Sequence, residues 1–352
     1  MRRLLIVVLL LAPLAMAQPR RRASGPAIPT ALIDPIAAKA LADGAPAVSI
    51  AIGRGDSILF AAGYGTASAN TIYQAGSVSK QFAAAAMMLL VERGAVSLGD
   101  PVEKYVPAMA GKGMTIRQLL SHTSGLTRDI PNLTSAYAPI SEADAVARIA
   151  AAKTLFQPGA GWSYSNAGYY LVAVVIEKAS GKPYAQFLDE ELLLPLGLAS
   201  TAVCGSTPRV PTPDGYLLMT ATKQVVPVRA ADMSLLLGAG DVCSTATDLA
   251  RWSHALATGR AVTPASYEEM TRPRASISAT ATYGFGLLMD LDRGNPVVLH
   301  DGLVLGFQTI LIHYPDQDLT IAVVVNAIDD TLAWVPATTA GIQIGQTLVP
   351  AH

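Results

Sequence analysis

Histidine and cysteine are both scarce. The chain has five histidines (His122, His254, His300, His313 and His352) and two cysteines, Cys204 and Cys243, in 352 residues. None of them shows ligand spacing such as H-E-x-x-H, so no metal is expected. Charge is scarce too. Only 14% of residues are charged and the net charge is −1, which leaves no electrostatic footprint for nucleic acid. Hydrophobic residues make up 51%, so the chain can bury a substantial core and disorder is excluded. Long internal apolar runs are missing. The stretches 83–91 and 169–176 are too short to span a bilayer. A G-x-S-x-G elbow is also missing, which disfavours an α/β-hydrolase. A G-D-S run occurs at Gly55, Asp56 and Ser57, but no D-x-x-H follows near the C-terminus, and a Gly-Asp turn explains it.

The chain begins with Arg2 and Arg3, an apolar stretch 4–14 interrupted by Pro13, and Ala15-Met16-Ala17. This order predicts a signal peptide over 1–17, cleavage after Ala17, and a periplasmic or secreted chain without a stable membrane span in its mature form. Residues 18–30 read as a Pro/Arg-rich linker. In an oxidising compartment Cys204 and Cys243 predict one disulfide. Two buried free thiols are the alternative, because sequence does not give their distance.

The chemistry centres on residues 73–94, YQAGSVSKQFAAAAMMLLVERG. Ala, Met and Leu favour helix, and Gly94 suits an αL stop. The run is apolar on nearly every side, so the helix is expected to be buried. Ser77 and Lys80, three apart, share one face at its first turn. Ser77 can be a nucleophile. Lys80, desolvated, can take or relay its proton. The plainer alternative is a capping serine and a snorkelling lysine.

The rest of the chain predicts an α+β fold. Residues 48–53 and 58–63 form a hairpin, with a helix before them. The middle is mostly helical. Thr115 caps 116–120, Ser141/Asp144 and Thr245/Asp248 form capping boxes, and 165–180 ends at Gly181. Stretches 283–290, 296–300, 308–314 and 320–326 read as antiparallel strands, followed by a helix over 331–346. The expected architecture is one domain over 31–348. An antiparallel sheet flanked by N- and C-terminal helices (about 31–72 and 275–348) carries an inserted, mostly helical second lobe (about 73–274), with a cleft between them.

Two further features can meet Ser77. Tyr164-Ser165-Asn166 sits at a helix entry. The phenol could act as a base if neighbouring cations depress its pKa, and Asn166 offers a donor and an acceptor. The alternative is a cap beside an interfacial tyrosine. His300-Asp301-Gly302-Leu303 sits at a strand end. Gly302 permits close approach, and the Leu303 N–H could join that of Ser77 as an oxyanion donor. The commoner reading of His300 is a satisfied strand-end histidine.

S-V-S-K, Y-S-N and H-D-G, in this order, resemble the three motifs of the serine β-lactamase and penicillin-binding protein superfamily, on its class C side. That side also holds esterases and D-aminopeptidase- and carboxypeptidase-like enzymes. TIRQLLSHTSGL (115–126), WSYSNAGYYLV (162–172) and STATDLARW (244–252) are similar as well, so the likeness spans roughly 31–345. It implies a β-lactamase/transpeptidase-like fold. It also implies an exported serine hydrolase in which Ser77 is acylated, Lys80 and Tyr164 move protons, Tyr164 activates the deacylating water, and Asn166, His300, Gly302 and Leu303 hold substrate and oxyanion. No cofactor is implied. His300 stands where a Lys usually precedes Thr/Ser-Gly, which suits a carboxylate less well. The expected partner is therefore a small-molecule ester, amide or peptide. The alternatives are a β-lactamase or peptidoglycan DD-peptidase, and a penicillin-recognising sensor that does not turn over. The presence of both Lys80 and Tyr164 speaks against the sensor.

Overall fold

The computed structural model describes residues 27–352. The expected signal peptide over 1–17, its cleavage site and the linker up to residue 26 lie outside the described residues. Among those described, no helix is long and apolar enough to cross a membrane.

Helix α1 (Thr30–Ala42) buries Ile33, Ala37 and Ala40, a stripe at helical spacing. The hairpin β1 (Ala47–Arg54) and β2 (Ser57–Gly65) follows. Late in the chain come β3 (Ala275–Ser276), β4 (Thr282–Tyr283), β5 (Leu288–Asp292), β6 (Asn295–Val304), β7 (Phe307–Tyr314) and β8 (Leu319–Val325). Together they form one eight-stranded antiparallel sheet in the order β2-β1-β8-β7-β6-β5-β4-β3. The first hairpin closes onto the last strand, with Ile50 opposite Val323.

β8 shows why the central strands are apolar along their whole length. Leu319, Ile321, Val323 and Val325 pack with Ile33 and Ala37 of α1 and Ile344 of a C-terminal helix (Pro336–Leu348). Ala322 and Val324 face the other way, into the core that holds Val78, Phe82 and Trp252. With both faces covered, alternation gives way to a continuous apolar run.

The central helix, α2 (Ser79–Glu92), is buried everywhere except at Leu89, Val91 and Glu92. Phe82 stacks on Trp252 with ring centroids 4.0 Å apart, and the Trp252 Nε1–H donates to Gln81 Oε1 at 3.0 Å. Gly94, at φ 69°, lies just past its end, as expected. Its start differs from expectation. Ser77 is not in the α-helix but in a single 3-10 turn, Gly76–Val78, before it. Gly76 at φ 53° reverses the chain there, and the Val78 N–H closes onto Ala75 O at 3.3 Å.

Three other expectations are corrected. The strand expected over 296–300 runs on to Val304, because a two-residue turn at Leu305 and Gly306 leads straight into β7. His300-Asp301-Gly302 therefore lies inside a strand. Thr115 and Gln118 form the full capping box, but Thr245 accepts only from the Asp248 N–H. The Asp248 carboxylate turns instead to the Ser200 N–H at 2.9 Å. Ser141 likewise only accepts from the Asp144 N–H. Two small three-stranded sheets were not foreseen. One joins Tyr73–Gln74, Ala202–Val203 and Val242–Ser244; the other joins Gly215–Met219, Gln224–Val228 and Ala327–Asp329.

Cys204 and Cys243 are bonded. The cross-link holds the strand whose Val242 O accepts from Ala75 N (2.8 Å) and whose Val242 N donates to Ser79 Oγ (2.9 Å). It thus staples the wall beside the Ser77 turn. With a separation of 39 residues, its loss is expected to cost about 4 kcal/mol, or roughly 6 °C in melting temperature. Calorimetry of a Cys204→Ser/Cys243→Ser variant checks this. An unchanged melting temperature would show the bond to be dispensable.

Candidate active site

The 3-10 turn leaves Ser77 half-buried at the cleft while its neighbours Gly76 and Val78 are buried. Two glycines let β6 press against it. A Cβ on Gly302 would overlap the Ala75 carbonyl and stand 3.2 Å from the Ser77 nitrogen, and one on Gly76 would stand 2.9 Å from the Leu303 nitrogen. β5 pairs with β6 only as far as Leu299, so the edge beyond it is open. Val304 pairs with Phe307 across the two-residue turn. By the alternation of an antiparallel ladder, Val304 and Gly302 bond to β7 and the Leu303 N–H points to the open edge. The N–H groups of Ser77 and Leu303 thus lie on the same small opening. Gly302→Ala is expected to lower kcat at least about 100-fold by forcing these two backbones apart. Steady-state kinetics checks this, and an unimpaired variant would show that their approach does not matter.

Lys80 is wholly buried. Its Nζ lies 3.2 Å from Ser77 Oγ, 2.8 Å from Asn166 Oδ1 and 2.6 Å from Ala239 O. Three acceptors match the three donors of an ammonium. The rings of Tyr164 and Tyr169 add partial compensation, at 4.7 and 5.5 Å. Burial nevertheless pulls the Lys80 pKa down to about 7, and the Arg128 guanidinium adds to the effect. Near neutrality its proton is easily given up, which a snorkelling lysine would not show.

Asn166 begins helix α3 (Asn166–Ser180), behind the N-cap Ser165, whose Oγ accepts from the Gly168 N–H at 2.9 Å. Its amide oxygen takes Lys80, and its NH₂ donates to Asp129 Oδ1 at 2.6 Å. Tyr164 departs from expectation. Its hydroxyl is buried with no hydrogen-bond partner. Burial pushes its pKa up, well above the ordinary phenol range, and Asp301 and Asp129 push the same way, against Ser77 and Arg128. Desolvation outweighs the Ser77 hydroxyl and the Arg128 guanidinium, so Tyr164 is a neutral phenol, and Lys80 is the group whose depressed pKa suits it to accept a proton.

His300 is buried, and both its nitrogens are engaged. Nδ1 donates to the Asp301 carbonyl, and Nε2 accepts from the Tyr283 hydroxyl at 3.0 Å. Burial lowers its pKa, so the ring is neutral. The imidazole buttresses the strand and offers the cleft no free nitrogen. Three groups escaped the sequence reading. Ala239 contributes only a backbone carbonyl, which no side-chain pattern marks. Arg128 and Asp129 follow the TIRQLLSHTSGL stretch in an unpatterned loop, although the Arg128 guanidinium sits 5.2 Å from the Tyr164 ring centre. Among the described residues, no group of three His, Cys, Asp or Glu could hold a metal ion.

The chain is similar to several known proteins. Penicillin-binding protein 4* of Bacillus subtilis is 32% identical over 74% of this chain and 62% of its own length. A D-aminopeptidase of Cereibacter sphaeroides is 30% identical over 71% of this chain and 49% of its own. The chain therefore spans about half to three fifths of these curated relatives. The crystal structure of a D-stereospecific amidohydrolase from Streptomyces sp. superposes with a TM-score of 0.79 at 28% identity, covering 90% of this chain and 98% of that one. The α+β architecture is thus that of the β-lactamase/transpeptidase fold. A family model described as Beta-lactamase matches residues 31–335, and by a match of that extent the chain belongs to the Beta-lactamase family.

Proposed function

We propose that this protein is a serine hydrolase, with residues 31–348 as its one catalytic domain behind an export signal, that cleaves a carboxylic ester or small amide through an acyl-enzyme on Ser77. The observation that carries this is Ser77 Oγ held 3.2 Å from a buried Lys80 whose pKa is pulled to about 7. Neutral Lys80 takes the Ser77 proton as Oγ attacks the carbonyl carbon. The N–H groups of Ser77 and Leu303 receive the developing oxyanion. Neutral Tyr164, beside Ser77 and over Lys80, hands a proton to the leaving group and is restored from Lys80. Water then attacks the acyl-enzyme by the same route in reverse. The free N–H of the Asn166 amide orients the substrate carbonyl side.

The charges at the mouth support an ester or amide over an anionic substrate. Asp129 and Asp301 are more than half exposed there, against one guanidinium, Arg128, and no free His300 nitrogen faces them. The names of the relatives, D-aminopeptidase and D-stereospecific amidohydrolase, suggest amides of D-amino acids as the first amides to try. The test is a panel assay on the mature protein with p-nitrophenyl acetate and butyrate, D- and L-amino acid amides, D-alanyl-D-alanine peptides and nitrocefin. The expected result is an ester or amide favoured at least about 10-fold in kcat/KM. Nitrocefin as much the better substrate would overturn the reading, as would a stoichiometric adduct that never turns over.

A further inference from the structure

His122 has no role in the chemistry above, yet it grips the catalytic tyrosine from three sides. It lies two residues past the short helix Ile116–Leu120, with φ 60°. This left-handed conformation costs a non-glycine residue roughly 1–2 kcal/mol and persists only where surroundings enforce it. Here the enforced geometry points at Tyr164. The His122 carbonyl accepts from the Ser163 N–H at 3.0 Å, and its Nδ1 accepts from the Ser165 N–H at 3.1 Å. The imidazole itself lies against the Tyr164 ring, centroids 4.4 Å apart.

A backbone N–H can only donate, so Nδ1 must be unprotonated and the ring proton must sit on Nε2. Nε2 is buried with no partner, among the rings of Tyr169 and Tyr283 at 5.1 and 4.8 Å. An orphaned buried donor is expensive, so packing alone does not explain a histidine here. Phenylalanine would fill the space without that cost. What only an acceptor at the Nδ1 position provides is the bond to Ser165. The geometry points to His122 as a positioning residue that brackets Tyr164 through the peptide groups on either side of it and fixes where its hydroxyl stands against Ser77 and Lys80. This inference rests on the serine hydrolase reading of the site.

Two variants of the full chain separate acceptor from packing. His122→Phe keeps a ring and loses the acceptor. His122→Asn keeps an acceptor oxygen near the Nδ1 position, and asparagine tolerates positive φ. With a p-nitrophenyl ester, His122→Phe is expected to lower kcat about 100-fold, as displacements of catalytic groups do, with KM changed no more than about 2-fold. His122→Asn is expected to recover at least about 10-fold of that loss without melting higher than the Phe variant. Equal kcat in the two variants, or kcat that follows melting temperature instead of the acceptor, would overturn the bracket. Should neither variant fold, imidazole ¹⁵N NMR of the wild-type protein decides. A bare Nδ1 with the proton on Nε2 supports the bracket, and a proton on Nδ1 overturns it. Ser77→Ala is the control. If it retains turnover, the hydrolase reading fails, whereas full kcat in His122→Phe beside an inactive Ser77→Ala defeats the bracket alone.

Discussion

Ser77→Ala is expected to lower ester hydrolysis at least about 10⁴-fold, because nucleophile and base act as a unit and loss of one removes most of the covalent route. The fold should survive. Ser77 is half-buried in a short turn, and alanine removes only its hydrogen bond with Lys80, worth about 1 kcal/mol. The turn itself is held by Gly76, by the Val78–Ala75 bond and by the Ala75–Val242 bond, none of which needs the hydroxyl. A fluorophosphonate probe on the wild-type protein should add its mass to Ser77. Label on Ser57 would instead restore the Gly55-Asp56-Ser57 turn as a nucleophile motif. Turnover by a folded Ser77→Ala protein would end the proposed mechanism.

Lys80→Met should be nearly as inactive, yet more stable than wild type in mild acid. Lys80 has a folded-state pKa near 7 against an ordinary value of 10.5, and a depression of that size costs about 5 kcal/mol while the group is charged. The folded state holds its proton less tightly than the unfolded state does. The cost is therefore fully present below pH 7 and fades as pH rises from 7 towards 10.5. Methionine fills similar volume without a charge, although Asn166 Oδ1 and Ala239 O each lose a donor. The melting temperature of Lys80→Met should exceed that of wild type at pH 6, with the gap narrowing towards pH 10. Wild-type kcat/KM should rise through about pH 7 as Lys80 becomes the neutral base. A flat profile across that range, or a variant less stable than wild type at pH 6, would show that Lys80 remains a cation in the enzyme's working state.

The order and type of most elements were legible because they rest on local signals. Residues 83–90 could only be a buried helix, given their Ala, Met and Leu content and the glycine that follows. The hairpin at Arg54–Ser57 and the helix stop at Gly181 were carried by turn chemistry in the residues themselves. Where local signals are thin, tertiary pairing decides the structure. Gln224–Val228 forms a strand only because Gly215–Met219 lies beside it, a pairing that its own short run does not announce. β6 outran its expected end at His300 because Gly302, a poor strand former alone, is held extended between β7 and the Ser77 turn.

The site divides in the same way. Ser77 and Lys80 three apart, Tyr164 two before Asn166, and a glycine two beyond His300 are covalent facts, and spacing was enough to nominate them. Which of them holds a proton was not in the spacing. Lys80 is proposed as the base because burial pulls its pKa to about 7, in a pocket completed by the Ala239 carbonyl from a segment 159 residues away. Tyr164 stays neutral because burial penalises its anion more than the Ser77 hydroxyl and the Arg128 guanidinium can offset. His300 turns its nitrogens to Tyr283 and its own strand, leaving the opening to backbone N–H groups. The sequence by itself determined a buried helix carrying a serine and a lysine at its entry. The tertiary structure decided the burial and hydrogen-bond partners on which the proposed base, acid and oxyanion roles rest, because proton affinity and hydrogen-bond direction depend on desolvation and neighbours that only the folded chain brings together.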